Sequence, residues 1–182
     1  MINVLGICGS LRPKSYNLGA LNAMRENPPE GARVTLIEIG EIPFYASAIE
    51  KSGFNPAILR LREAVARADA LLVAVPEYNF SMPGVLKNAL EWLSRQPDPP
   101  ANNKPCAIFG VTTGTAGTAR AQMNFRAVAV SLNLSMVNAP HVDVMSAPSK
   151  YDGSGKLTDA ASIAALFELV VSLRDHTLRA RR

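Results

Sequence analysis

The sequence predicts a doubly wound α/β fold: a parallel sheet between two layers of helices. Three observations carry this. Short, nearly unbroken apolar runs of strand length recur along the chain, as strands covered on both faces require. Between them lie stretches whose apolar residues are spaced three and four apart, the helical period. No internal repeat or low-complexity segment interrupts the alternation.

The first strand is Ile2–Cys8. The helix after it puts Leu18, Leu21 and Met24 on its core face and ends before the Asn27-Pro28-Pro29 turn, where the pre-proline residue disfavours helix. Val34–Ile39 is the second strand. Asn55 and Pro56 suit the N-cap and first position of a helix whose stripe is Ile58, Leu61, Val65 and Ala68. The third strand is Ala70–Val75. Pro83 opens the next helix, with Leu86, Ala89, Leu90 and Leu93 facing inward. Cys106–Val111 forms the fourth strand, and Ala121, Phe125, Val128 and Leu132 mark the helix behind it. Leu134–Val137 is the fifth strand, and Ile163, Leu166, Val170 and Leu173 define the last helix. Five β/α units fill the 182 residues, so residues 1–182 are expected to be one domain with the flavodoxin-like strand order 2-1-3-4-5.

Composition excludes several classes. Two cysteines, Cys8 and Cys106, cannot make a disulfide framework, and no Cys/His cluster has metal-ligand spacing. Apolar runs such as Ala70–Pro76 are too short to span a bilayer, and MINVLGICGS lacks the parts of a signal peptide. The expectation is a cytoplasmic protein with neither membrane nor nucleic acid as partner. The net charge of +4 does not contradict this, because residues 174–182 carry four Arg and one Asp. The body is left at +1. Nucleic-acid binding needs a basic patch on the fold, and a basic tail on a neutral body does not supply it.

In open α/β sheets ligands bind beyond the carboxyl ends of the strands, where the winding reverses. Three loops leave strands at that edge. The first, GSLRPKSYN (9–17), offers hydroxyls on Ser10 and Ser15, the Arg12 guanidinium and the Asn17 amide at the start of a helix. Helix N-termini present free N–H groups and a partial positive charge, so this loop suits a phosphomonoester. It lacks GxGxxG and GxxxxGK[ST], which argues against a dinucleotide pyrophosphate and excludes a P-loop. An ordinary polar loop with Ser capping the helix is the competing reading. The second loop, PEYNFSMPG (76–84), is stiffened by Pro76 and Pro83 and either offers backbone amides to a flat heterocycle or tucks Tyr78 and Phe80 into the core. The third, TTGTAGTAR (112–120), has glycines that permit close backbone approach to a ligand.

Together the three loops resemble the NADPH-dependent FMN reductases of flavodoxin-like fold, a family that includes bacterial quinone and chromate reductases and azoreductases. The matching segments are GSLRPKSYN at 9–17, PEYNFSMPGVLKNALEWLSR at 76–95 and GTAGTARAQMNFR at 114–126. The resemblance covers most of the chain and is most specific in the second segment. It implies that Ser10, Arg12, Ser15 and Asn17, with amides near Leu18, bind the FMN phosphate. It implies that Pro76, Glu77, Tyr78 and Asn79 line the isoalloxazine, mostly through backbone, and that Thr112 and Gly114 approach it from the other side. Two positions depart from the family pattern: Thr118 stands where relatives often have Gly, and Met123 where they often have Tyr. The first is expected to narrow backbone access near the ring, and the second falls on a helix that often builds subunit contacts.

The resemblance further implies an FMN-dependent oxidoreductase. NADPH or NADH as co-substrate gives hydride to flavin N5, and a small-molecule electron acceptor takes the electrons. Quinones, azo compounds, free flavin and metal oxyanions such as chromate are the acceptor classes. The flavin performs this chemistry, so no catalytic side chain is assigned. A homodimer or homotetramer is implied, with the neighbour's Ile42–Phe54 loop walling the flavin pocket. The alternative is a flavodoxin-type electron carrier, which is expected to be strongly acidic, unlike this body. Cys8 and Cys106 read as buried structural thiols, Trp92 as packing, and His141 and His176 as surface residues without carboxylate partners. The terminal Arg cluster reads as a solvated, frayed helix end.

Overall fold

The computed structural model describes residues 1–181. In chain order the elements are β1 (Ile2–Cys8), α1 (Tyr16–Glu26), β2 (Ala32–Ile37), α2 (Ser47–Ser52), α3 (Pro56–Arg67), β3 (Ala70–Ala74) and α4 (Gly84–Leu93). They continue with β4 (Pro105–Val111), α5 (Ala119–Ser131), β5 (Ser135–Met136), β6 (Asp143–Val144) and α6 (Ala160–Ala180). The strands are parallel in the order β2-β1-β3-β4-β5, the flavodoxin-like order expected. Alternate residues of the central strands serve two cores. Leu5, Ile7, Leu71, Val73 and Ile108 pack under α3, α4 and α5. Val4, Leu72, Ala107 and Phe109 pack under α1 and α6. No helix among the described residues is long and apolar enough to cross a membrane.

Three differences from the expected elements have physical causes. The second strand begins and ends two residues early, because its register against β1 runs from Ile2↔Ala32 to Ile7↔Ile37 and the chain then leaves the sheet. Ile39 still reads as apolar because it is buried in the core from the loop. The fifth strand is split: β5 pairs with Pro105 and Cys106, and the unanticipated β6 pairs with Gly110 and Val111 farther along β4. The short helix α2 was also not anticipated within the 42–54 loop, since six residues show no period.

Helix ends follow local chemistry. The Asn55 side chain accepts from Ile58 N–H at 3.0 Å ahead of Pro56, the expected cap of α3. Arg62 on α3 turns inward and donates to the carbonyls of Trp92, Arg95 and Pro97, closing the C-terminal end of α4. The terminal cluster is tied down instead of frayed: Arg174 donates to the Glu30 carbonyl at 2.7 Å, and Arg181 pairs with Asp69. Arg182 lies outside the described residues.

The segment after β6 straps across α1 at a glycine. A Cβ on Gly19 would collide with the Gly155 carbonyl and meet the Tyr151 ring at 2.9 Å. Gly19→Ala is therefore expected to destabilise the protein by about 1–3 kcal/mol through overpacking, despite alanine's better helix propensity. A thermal melt that matched the parent's would contradict this close approach.

Candidate functional site

The winding reverses between β1 and β3, and all three loops meet beyond the carboxyl ends of β1, β3 and β4. In the first loop Ser15 is the N-cap of α1, yet its hydroxyl makes no capping bond. The Oγ is buried and, among the described residues, meets no hydrogen-bond partner stronger than the weak Cys8 thiol. A buried, unsatisfied hydroxyl costs about 1–3 kcal/mol, so its retention points to a missing acceptor or donor. Tyr16, Asn17 and Leu18, the first residues of α1, have no carbonyl within the helix to accept their N–H groups. Arg12 is exposed, stands 5.2 Å from the Tyr16 ring centroid and forms no ion pair among the described residues. An orphan hydroxyl, free amides and an unpaired guanidinium together fit a phosphate dianion.

Asn17 has a structural role besides the expected one. Its buried amide donates to the Val111 carbonyl at 3.0 Å and accepts from Val111 N–H at 3.1 Å, bolting α1 to the end of β4. Its main-chain N–H and the second Nδ2 hydrogen remain for a ligand. Ser10 Oγ accepts from Arg12 N–H at 3.3 Å and lies 3.1 Å from the Tyr78 hydroxyl, which joins the first loop to the second.

The second loop is a tight hairpin. Tyr78 and Ser81 exchange backbone bonds of 2.9 and 3.0 Å around Asn79 and Phe80, whose φ angles are +50° and +65°. Asparagine tolerates the left-handed region, but phenylalanine there costs about 1–2 kcal/mol. Tyr78 and Phe80 are exposed, not tucked into the core, and the Arg120 guanidinium stacks 4.0 Å from the Phe80 ring centroid. The buried Glu77 carboxylate pairs with Arg120 and accepts from Ala121 N–H at 3.2 Å, capping α5 from another loop. The Glu77 and Asn79 amides make no protein hydrogen bond among the described residues.

The third loop is held from behind. Thr112 N–H donates to the Val144 carbonyl, while the Thr112 and Gly114 carbonyls accept from Ala147 and Ser146 N–H groups. Gly114 N–H reaches Thr112 Oγ1 at 3.3 Å. Thr118 is fully buried and points away from the open side of the loop, filling the space over Gly110. Its expected narrowing of backbone access is therefore absent. Asp143 on β6 accepts from Thr118 N–H at 2.9 Å, Thr118 Oγ1 at 2.6 Å and Gln122 Nε2 at 3.1 Å. Its other oxygen lies 2.8 Å from His141 Nε2.

His141 thus has the carboxylate partner that the sequence reading denied it. The partner is close in the chain: Asp143 lies two residues beyond His141, just inside β6. His176 bonds Ser135 Oγ at 2.8 Å, on the far edge of the sheet. Trp92 is packing, fully buried with its Nε1 donating to the Pro43 carbonyl at 2.8 Å. Asn88 fixes the same segment through Tyr45 N–H and the Pro43 carbonyl. Both cysteines are free; burial pushes the Cys106 thiol up to about 12 and raises Cys8 as well, which leaves neither poised as a nucleophile.

Comparison with known proteins places this arrangement. The family model for NADPH-dependent FMN reductase matches residues 2–149. An NAD(P)H-dependent FMN reductase of Pseudomonas aeruginosa is 48% identical over 158 residues, covering 87% of this chain and 85% of its own. An NADPH:quinone oxidoreductase of Arabidopsis thaliana is 36% identical over 186 residues, covering 98% and 93%. Among solved structures, the flavoenzyme NAD(P)H:(acceptor) oxidoreductase FerB from Paracoccus denitrificans superposes with a TM-score of 0.88 at 27% identity, covering 98% of each chain. The chain belongs to the NADPH-dependent FMN reductase family.

Proposed function

We propose that residues 1–182 form one FMN-binding domain that passes hydride from NADPH or NADH to quinones and free flavin, and also to azo compounds and metal oxyanions such as chromate. The observation that carries this reading is the buried Ser15 hydroxyl at the head of α1, with nothing stronger than the Cys8 thiol to bond, beside free amides and an Arg12 unpaired among the described residues. Bound FMN supplies the hydride-accepting and hydride-donating chemistry. Ser10, Arg12, Ser15 and the amides of Asn17 and Leu18 hold its phosphate. Pro76, Glu77, Tyr78 and Asn79 hold the ring through backbone groups, since the Glu77 carboxylate is already committed to α5. Thr112 and Gly114 border it on the β4 side, where the free amides of Thr113 and Thr115 favour negative charge on the ring. No side chain is assigned to proton transfer, because Glu77 and Arg120 neutralise each other and Tyr78 is bonded to Ser10.

The chain is further proposed to assemble as a homodimer or homotetramer. Met123, Ala127 and Val130 leave an exposed apolar stripe along α5, and Phe44 projects from the 42–54 loop. Purified protein is expected to be yellow, to sediment as an oligomer, and to lose flavin absorbance rapidly when mixed anaerobically with NADPH or NADH. Flavin that stays oxidised under saturating nucleotide would instead mark an electron carrier. Colourless protein that rejects added FMN would remove the reading altogether.

A further inference from the structure

A groove of about 620 Å³ opens on the opposite side of β1 from the three loops' meeting point, between α1 and the edge strand β2. Its size is that of a small-molecule site. Its floor is apolar: Gly6, Leu18, Leu21 and Leu36. Gly6 builds this floor by lacking a side chain, since a Cβ there would press into Leu36 and lie 3.2 Å from Leu21. The residues that embrace the proposed flavin ring, from Pro76 to Asn79 and from Thr112 to Gly114, take no part in the lining. The groove touches the phosphate loop only through Ser10–Pro13 and Leu18.

Three charged side chains line it: Arg12, Arg25 and Glu38, all exposed. None forms an ion pair with another residue among those described. An apolar floor, two free guanidinium groups and one free carboxylate match a molecule with a flat apolar body, an anionic group and a hydroxyl pair. That is a nucleoside phosphate: base on the leucines, phosphate on arginine, ribose diol on the carboxylate. The placement of Glu38 adds weight. It immediately follows β2, and doubly wound dinucleotide folds use an acidic residue downstream of the first β/α unit to accept from ribose hydroxyls.

We propose that this groove binds the adenosine half of the nicotinamide co-substrate, an inference that rests on the function proposed above. With Arg12 engaged by the FMN phosphate, Arg25 and Glu38 carry recognition of the second nucleotide. The two ligands would then meet across the phosphate loop, which places the co-substrate beside the flavin without any need for a second domain.

The test is calorimetric titration of FMN-loaded protein with 5′-AMP and ADP-ribose, in the parent, Arg25→Glu and Glu38→Gln. Saturable binding is expected, weakened about tenfold in each variant, the scale of one charge-assisted hydrogen bond. FMN affinity, read from flavin fluorescence, is expected to be the same in all three. ADP-ribose is expected to compete with NADH and NADPH, and both variants to raise the KM for one or both. Absence of AMP and ADP-ribose binding, or binding indifferent to both variants, would overturn the proposal. Binding that both variants weaken while neither KM moves would overturn the co-substrate assignment and mark a site for a free nucleotide. Failure to bind FMN would be seen separately, as colourless protein, and would count against the proposed function while the AMP titration still reads the groove.

Discussion

Arg12→Ala is expected to weaken FMN binding by about 1.5–3 kcal/mol, roughly ten- to a hundredfold, without lowering the melting temperature of the apoprotein. The two halves have separate causes. The guanidinium is exposed and makes no ion pair among the described residues, so the fold there loses only its stacking on Tyr16. A phosphate dianion at the head of α1 would lose its one side-chain cation, keeping the helix dipole and the amides. Ser15→Ala supplies the contrast. Its buried hydroxyl has at most the weak Cys8 thiol to bond, so removing it is expected to leave apoprotein stability equal or slightly higher while FMN binding falls by about 1 kcal/mol. Fluorescence titration with FMN and thermal melts of both apoproteins measure all four quantities. An Arg12→Ala protein with the parent's FMN affinity would refute the phosphate assignment.

The parts of this protein that were legible in its sequence are those that act locally. Central strands announce themselves as apolar runs because both faces are covered, and the Asn55-Pro56 cap is written in adjacent residues. The loops advertised their chemistry by residue type. What stayed hidden is how those side chains pair across the fold. Asn17 and Val111 are 94 positions apart, Ser10 and Tyr78 are 68 apart, and Glu77 and Arg120 are 43 apart. Only the strand order brings them together, and that order is a property of the whole chain. This is why the Asn17 side chain also proves to be a bolt between α1 and β4, and the Glu77 carboxylate a cap for α5, roles that residue type alone did not show. The split fifth strand escaped for a different reason: two-residue segments on one edge of β4 are too short to show any period.

Asp143→Ala is expected to be the most damaging single change near the site, lowering stability by roughly 2–4 kcal/mol and weakening FMN binding with it. Among the described residues Asp143 is the only partner of the Thr118 N–H, and Thr118 is fully buried, so truncation strands its N–H and hydroxyl donors where water cannot reach, while Gln122 Nε2 keeps the Val142 carbonyl and Thr118 Oγ1. Those donors belong to the start of α5, and the third loop hangs between them and the end of β4. The fold therefore loses its clamp where a ligand would need the loop amides fixed. Asp143→Asn separates geometry from charge. It keeps a carbonyl acceptor for Thr118, so it is expected to recover more than half of the lost stability. His141→Ala removes only a half-exposed partner from the outer oxygen and is expected to cost less than about 1 kcal/mol. Chemical denaturation of the three variants, each with and without saturating FMN, orders them. If Asp143→Ala unfolded at the parent's midpoint, or if His141→Ala cost as much as Asp143→Ala, the carboxylate would not be the clamp of the third loop.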